Sequence, residues 1–257
     1  MTKVTDRLTD SALVELAKKQ YESTQRNKVP TEIVHLTSKG LVYPESHPLR
    51  KGHVNMRYMT AYDEDIIVNE TYIRDGVMFD ILLAELIMDD IDINDISVVD
   101  KDGLIINARI LGFGPEYPVV VIDPETDKTI NQVVNLNELV VTDFKLVPDS
   151  NGEFEYSVNE TTTIKFKYKN GHASKNTDQS KKISNFLYAV IKEVNGSRVY
   201  GDIEHFIKYT FSPKESRAFR LFYNENAPSV ITEVKIEGEN GRAFTAGFQL
   251  GADLFWT

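Results

Sequence analysis

The stretch LTSKGLVYPESHPLRKGHVNMRYMTAYDEDI, residues 36–66, predicts the local structure around which the chain is organised. Ser38-Lys39-Gly40 is a turn signal, and two prolines interrupt the ten residues that follow it. Apolar and polar residues alternate over residues 53–59, which predicts a half-buried strand. Thr60, followed three residues later by Asp63, is typical of a helix start. These patterns predict a turn, a strand and a capped helix, and they carry no catalytic chemistry.

Similar patterns extend outward from this stretch. Apolar residues at helical spacing predict helices at 61–72, 77–89, 101–111, 178–194, 203–211 and 213–224. Apolar runs between turn signals predict further strands at 31–36, 119–122, 129–135, 140–146, 154–158, 163–168, 230–237 and 242–248. Asp100 is expected to cap the helix at 101–111, and Ser212-Pro213-Lys214-Glu215 combines a capping box with a proline at the first helical position.

The predicted fold class is α+β. It comprises a small N-terminal helical unit with short strands, then β-hairpins, then a C-terminal region of mixed helices and hairpin. The predicted divisions are a helical arm at 1–30, a mainly helical region at 31–117, a β-rich region at 118–170, and helices plus a C-terminal hairpin at 171–257. In the arm, Leu13, Leu16 and Ala17 predict one short helix that packs weakly or folds against a partner.

Composition excludes several classes of function. The 257 residues carry a net charge of −10, which argues against non-specific nucleic-acid binding, because phosphate contacts need clustered Lys and Arg. The absence of cysteine excludes disulfides, zinc–thiolate sites and thiol nucleophiles. No apolar run is long enough for a membrane span, and the polar first 30 residues predict no secretion signal.

Candidate catalytic and metal-binding motifs fail at required positions. The acidic runs at 89–95 and 123–127 resemble calcium loops but lack the glycine at position six and the glutamate at position twelve, so solvated loops are favoured. Gly112-Phe113-Gly114 follows a predicted helix and reads as its end rather than as a dinucleotide turn. The five histidines show no zinc-site spacing, and no nucleophile elbow occurs. We therefore predict that the protein is not an enzyme and has no catalytic residue, cofactor or metal.

The aromatic content leaves two interpretations open. The chain has 13 Phe and 12 Tyr, and several of them lie close to the helix predicted at 213–224. A hydrophobic core is the favoured interpretation. An assembly surface is the alternative, because Arg217 and Arg220 alternate with these rings, and Tyr, Phe and Arg are common at interface centres.

Three motifs resemble the T-even-type phage baseplate hub and hub-assembly proteins. The first is SKGLVYPESHPLRKGHVNMRYMTAYDEDI at 38–66, the second KDGLIINARILGFGPEYPVVV at 101–121, and the third GADLFWT at 251–257. Each alone is a weak signal, but all three occur in the family's order over roughly half of the chain. Many relatives also carry Cys-x-x-Cys pairs in two hairpins, whereas this chain has the turns 123–127 and 238–241 there, so we expect no zinc.

The resemblance implies a structural or assembly component of the central hub of a contractile-tail baseplate. Such a protein binds other tail or hub proteins, including the tape-measure protein, and resides in the virion tail baseplate or the infected-host cytoplasm. The alternatives are a transient tail or hub assembly chaperone that is absent from the mature virion and, from another class, an uncharacterised enzyme.

Protein binding is expected to use the loop at 38–53 and the aromatic second half. Deletion of residues 41–51 is expected to leave a folded protein that no longer co-purifies with hub components. The predicted interface residues are Leu41, Tyr43, Pro44, Arg50, Phe219, Phe222, Tyr223, Phe255 and Trp256.

Overall fold

The computed structural model describes residues 29–171, 182–238, 241–248 and 250–256. Within these ranges the chain is a mixed α+β fold of seven α-helices and eleven short strands, which confirms the predicted class. The helix predicted in the N-terminal arm and the first four residues of the helix predicted at 178–194 lie outside the described residues. The four-part division of the chain stays a prediction.

The strands form small antiparallel sheets. They are β1 Thr31–His35, β2 His53–Arg57, β3 Glu116–Ile122, β4 Thr129–Asn135, β5 Val140–Val141, β6 Phe154–Asn159, β7 Thr162–Phe166, β8 Ile191–Val194, β9 Val230–Ile231, β10 Glu233–Glu237 and β11 Ala243–Gly247. Four pairs, β1–β2, β3–β4, β5–β9 and β10–β11, are two-stranded, and β6–β7–β8 has three strands. The hairpins predicted at 119–135 and 230–248 are thus present.

The helices are mostly short. They are α1 Ala61–Ile67, α2 Glu70–Asp75, α3 Met78–Leu86, α4 Val98–Phe113, α5 Lys182–Val190, α6 Tyr200–His205 and α7 Pro213–Glu225. Turns of 3₁₀ helix occupy Pro48–Lys51, Ile93–Asp95, Leu136–Glu138 and Ala252–Phe255, and Phe206–Thr210 forms a π-helical turn after α6.

Both predicted capping boxes are present. At the start of α1, the Thr60 N–H donates to the Asp63 carboxylate at 2.7 Å. At the start of α7, the Ser212 N–H donates to Glu215 at 3.1 Å, and the Glu215 N–H donates back to the Ser212 hydroxyl at 3.3 Å. These reciprocal bonds satisfy N–H groups that the first turn of a helix leaves unpaired.

Two elements differ from the sequence prediction. The helix predicted at 61–72 is interrupted because the Asn69 side chain accepts hydrogen bonds from Thr71 N and Tyr72 N and starts α2. The helix predicted at 178–194 ends at Val190, and its last four residues become β8, which pairs with β7. The helical spacing of apolar residues persists through β8, but the available edge of β7 decides its conformation.

Three further predictions are corrected. The strand predicted at 140–146 is reduced to the two residues of β5, and the helix predicted at 203–211 starts earlier, as α6, and continues into the π-helical turn. Asp100 is not the cap of the long helix, because α4 starts at Val98 with Ser97 at the cap position.

One buried cluster joins the described parts of the chain, from Val34 in β1 to Phe255 near the C-terminus. Its aromatic centre lies where α7 covers the β6–β7–β8 sheet. There the Phe166 ring lies 5.4 Å from that of Phe219, and the Tyr168 ring lies 4.8 Å from that of Tyr223, measured between centroids. The aromatic residues around α7 therefore build a core.

The loop between β1 and β2, residues 36–52 (the first loop), is closed on itself by glycines at its two ends. Gly40 and Gly52 both have φ of 81°, a left-handed conformation that favours glycine. A Cβ placed on Gly40 would lie 2.6 Å from the Arg50 carbonyl oxygen, and one on Gly52 would lie 2.8 Å from that of Lys39. The two ends of the loop can therefore approach this closely only without side chains at these positions.

This close approach predicts a large cost for Gly40→Ala. Its matched control is Gly196→Ala, because Gly196 also has a positive φ but has no atom within 4 Å of the added methyl group. We expect the control to lose about 1 kcal/mol of unfolding free energy from backbone strain alone, and Gly40→Ala to lose at least about 2 kcal/mol more. Urea unfolding of both variants measures the difference, and equal losses would show that the loop relaxes around the methyl group.

Candidate interaction surface

A buried carboxylate joins the first loop to α4. The Asp100 side chain lies in the first turn of α4 but points into the core, where it is fully buried. Its Oδ1 accepts a hydrogen bond from the Ser38 N–H at 2.7 Å, and its Oδ2 accepts from the Ser38 and Tyr43 hydroxyls, each at 2.8 Å. The Tyr43 oxygen in turn accepts from the Ser97 N–H at 3.0 Å. One hydrogen-bonded network thus holds the first sequence motif to the start of α4, the helix that carries most of the second motif.

Burial sets the protonation behaviour of this network. Burial raises the pKa of the Asp100 carboxyl, and the hydrogen bonds from Ser38 and Tyr43 offset part of the rise because they favour the ionised form. Burial, together with the neighbouring Asp100, raises the pKa of the Tyr43 phenol far above its ordinary value. Tyr43 is therefore a protonated hydrogen-bond donor at neutral pH.

A buried arginine joins the other end of α4 to the C-terminus. Arg109 donates through Nε to the Leu254 carbonyl at 2.9 Å, through Nη1 to that of Gly114 at 2.7 Å, and through Nη2 to that of Glu116 at 3.1 Å. Its guanidinium also lies 5.2 Å from the centroid of the Phe113 ring. The C-terminal tail is thus held to α4 at Leu254, which is itself fully buried.

Four of the nine predicted interface residues belong to the core. Tyr43, Phe219, Tyr223 and Phe255 are each less than 10 % exposed, so they cannot contact a partner in this conformation. Tyr43 is committed to Asp100, and Phe255 packs 6.2 Å from Phe79. The buried interpretation of the aromatic second half is therefore the correct one for these residues.

The other five predicted interface residues differ in accessibility. Leu41, Pro44, Arg50 and Phe222 are half-buried, whereas Trp256 is 50 % exposed. The Arg50 guanidinium donates to the Leu41 and Tyr43 carbonyl oxygens at 3.2 and 3.0 Å, so it stabilises the first loop. Deletion of residues 41–51 would remove the buried side chains of Val42, Tyr43 and Leu49, so the structure now predicts that the shortened protein is destabilised.

A surface that the sequence analysis missed lies on the hairpin β3–β4. In this antiparallel pair Pro118 lies opposite Val133, so their side chains share one face. On that face Val120 is 70 % exposed, Ile122 65 % and Val133 58 %. We call Pro118, Val120, Ile122 and Val133 the hairpin face.

The opposite side of the same hairpin packs inward. Tyr117 and Val119 are buried, and the Tyr117 ring lies 5.4 Å from that of Phe248 near β11. The apolar surface also continues sideways, because Val133 lines a groove of about 420 Å³ together with Val140 and Ile231 of the β5–β9 pair. Solvent-exposed apolar surface of this extent on a chain with net charge −10 is typical of a contact site.

A signal for this face is present in the sequence. The run Val119-Val120-Val121-Ile122 is apolar at every position, whereas a strand with one solvated face alternates apolar and polar residues. A strand that is apolar at every position has two faces that need covering by other elements. In this hairpin only one face packs against the body, so the other remains exposed.

In the acidic runs at 89–95 and 123–127, which the sequence predicts to be solvated loops, some carboxylates form hydrogen bonds and ion pairs within the fold. The Asp89 carboxylate accepts from the Asn55 N–H at 2.6 Å and pairs with Lys51, and the buried Asp123 accepts from the Glu125 N–H at 2.8 Å. The described residues contain no group of three or more His, Asp or Glu placed to hold a metal ion. Nor does any helix in the described part of the chain combine the length and apolarity that a bilayer crossing requires.

A family model described as T4 bacteriophage base plate protein matches residues 42–219. The chain belongs to this family. The match covers the first motif from Val42 onward, all of the second motif, the β6–β7–β8 sheet and the first half of α7, up to Phe219. It ends before the C-terminal motif, and neither a curated protein nor a solved structure matches the chain.

The family match includes residues of the buried network and of the hairpin face. The protein is a phage baseplate protein, and both Tyr43 and Asp100 lie inside the matched range, as do all four residues of the hairpin face.

The network predicts a stability loss for Tyr43→Phe. This change deletes a donor to Asp100 and leaves the buried Ser97 N–H without its acceptor, so the unfolding free energy should fall by about 1–3 kcal/mol. The control is Tyr62→Phe, because Tyr62 is 69 % exposed and its change should stay within about 0.5 kcal/mol. Chemical denaturation compares them, and a loss for Tyr43→Phe no larger than the control would contradict the network.

A second buried pair predicts a pH dependence. Arg57 Nη1 and Nη2 donate to the two oxygens of the fully buried Asp63, each at 2.7 Å. Burial acts to raise the pKa of Asp63, but the Arg57 and Thr60 hydrogen bonds outweigh burial and lower it. The pair thus contributes stability above the unfolded pKa of about 3.9, which is lost as pH falls through the folded pKa.

The sign of this linkage is testable with Asp63→Asn. The variant should be less stable than the wild type at pH 7, and the gap between their unfolding free energies should narrow as pH falls below about 4. Denaturation series from pH 7 to the acid limit measure the gap. A gap that stays constant would mean that Asp63 has the same pKa in the folded and unfolded chains.

Proposed function

We propose that this baseplate protein is a component of the central hub of a contractile tail, and that it works by binding other tail proteins rather than by catalysis. The observation that carries the proposal is the family match over residues 42–219. The matched region includes much of a well-packed core and the exposed apolar hairpin. The order of the three sequence motifs supports the hub in particular.

The hairpin face is the surface we assign to this binding. Its aliphatic side chains are presented by paired backbone, so docking a partner there orders few additional groups. Its inner side is anchored by Tyr117 to the region of β11, so the face is held at a fixed position on the body. Burying aliphatic surface stabilises a complex by about 25 cal/mol per Å² before the costs of association.

The polar groups of the core support binding over catalysis. Asp100, Arg109 and Asp63 are the most buried charged side chains of the described core, and each is engaged in holding backbone or a neighbouring side chain. Their hydrogen bonds position the first loop, the C-terminal tail and α1. Charged groups used in this way stabilise a scaffold that presents a surface.

The test is incorporation into particles. Val120→Asp combined with Val133→Asp places charge on the hairpin face while changing only exposed positions, so the thermal midpoint should shift by no more than about 2–4 °C. Expressed in cells infected by the phage lacking its own copy, the wild type should restore infectious particles and the double variant should not. Val199→Asp is the control, because Val199 is equally exposed but lies outside the hairpin.

Quantitative mass spectrometry of the particles then separates two roles. A fixed number of copies per virion identifies a resident hub subunit, whereas presence only in tail intermediates identifies a transient assembly chaperone. Absence from both would contradict the proposed function. Normal assembly with the double variant would instead contradict the hairpin face as the contact.

A further inference from the structure

A groove of about 560 Å³ runs along one side of α4. The helix contributes Gly103, Ile106, Asn107 and Ile110 to it, at the spacing of a single helical face. The opposite wall is formed by Leu139, Val141 and Val230. The floor is therefore aliphatic, and it is wide enough for several side chains of another segment.

The rim of this groove has the opposite charge to the protein as a whole. The described residues that line it include Lys39, Lys51 and His35, and none of them is an aspartate or glutamate. Lys51 is paired with Asp89, so the exposed Lys39 at the turn supplies most of the positive charge. On a chain with net charge −10, such a groove selects an apolar segment that carries acidic residues.

The N-terminal arm contains a segment of this composition. Residues 8–17, LTDSALVELA, include Leu8, Leu13, Val14 and Leu16 with two acidic residues and no Lys or Arg. The helix predicted there puts Leu13, Leu16 and Ala17 on one face, which suits a groove lined by a helix and a strand pair. Beyond this segment the arm turns basic, with Lys18, Lys19, Arg26 and Lys28 against Glu22.

The length of the arm permits docking on its own chain. The eleven residues from Lys18 to Lys28 can span up to roughly 36–40 Å when extended. β1 starts at Thr31, and its far end at His35 already lines the groove, roughly 13 Å along the strand. A docked segment tethered this closely is present at high effective concentration, which favours binding within one chain over exchange between chains.

We propose that residues 8–17 bind in the α4 groove of their own chain, with the leucines on its aliphatic floor and Asp10 or Glu15 at the Lys39 rim. The arm then acts as an internal ligand that covers this apolar surface in the free protein. The inference rests on the groove and on the arm sequence, and it is independent of the hub assignment.

Disulfide trapping in the full-length chain tests the proposal, because the natural sequence has no cysteine. Leu13→Cys or Leu16→Cys is combined with Asn107→Cys in the groove. The matched control combines the same arm changes with Tyr209→Cys, which is 76 % exposed and does not line the groove. A disulfide requires the two Cα atoms to come within about 7 Å, so its rate of formation reports proximity.

We expect at least one arm position to form an intramolecular disulfide with position 107 at least about fivefold faster than with position 209. Lys39→Glu should slow this reaction, and adding Asp10→Lys or Glu15→Lys to Lys39→Glu should restore it. Circular dichroism and thermal unfolding confirm that each variant is folded, and mass spectrometry of the monomer identifies the bond. Equal rates at positions 107 and 209, or disulfides that form only between two chains, would overturn the proposal.

Discussion

The structure depends on one buried carboxylate. The Asp100 side chain is fully buried and makes no contact with bulk water. Three hydrogen bonds that it accepts, all from the first loop, replace the hydrogen bonds it would make with water. A carboxyl group in this position is stable only when its hydrogen-bond partners stay in place, since a buried polar or charged group without partners destabilises the fold. The network therefore specifies the conformation of a loop whose sequence, rich in glycine, proline and polar residues, has little preference of its own.

The same helix carries a second constraint at its other end. Arg109 draws together the end of α4, the start of β3 and the C-terminal tail by donating to three backbone carbonyls. With Asp100 near its start, α4 contacts the first loop 62 positions before Asp100 and the C-terminal tail 145 positions after Arg109. The hairpin face begins on β3, and Arg109 holds the first residue of that strand in place. The surface proposed for binding is therefore attached to the packed core.

Local patterns predicted the local structure well. Both capping boxes, both hairpins and the long helix could be read from the sequence because their hydrogen bonds join residues only a few positions apart. The break at Asn69 is also local, but two other failures involve distant residues. Asp100 has the residue type of a helix cap, and only the packing of the first loop 62 positions away turns it into the core. Residues 191–194 keep helical spacing, and only the edge of β7 makes them a strand.

The buried residues among the predicted interface set have a related cause. Tyr and Phe are common in both cores and interfaces, so composition around α7 does not separate the two, and the fold places Phe219 and Tyr223 in the core. Exposed aliphatic residues lie instead on β3 and β4, where the unbroken apolar run predicts a strand but not the exposure of one of its faces. Counting how many faces of each predicted strand need cover would have found it.

Native-state hydrogen exchange of two amides tests the central role of Asp100 most directly. The Ser38 and Ser97 N–H groups lie outside the helices and sheets, and their acceptors are the Asp100 carboxylate and the Tyr43 oxygen. If the network locks the fold, both amides exchange only through global unfolding, with the same free energy of opening as the amides of Leu104 and Ile105 in the core of α4. Exchange of Ser38 and Ser97 through a low-energy local opening, while the α4 amides remain protected, would contradict this account.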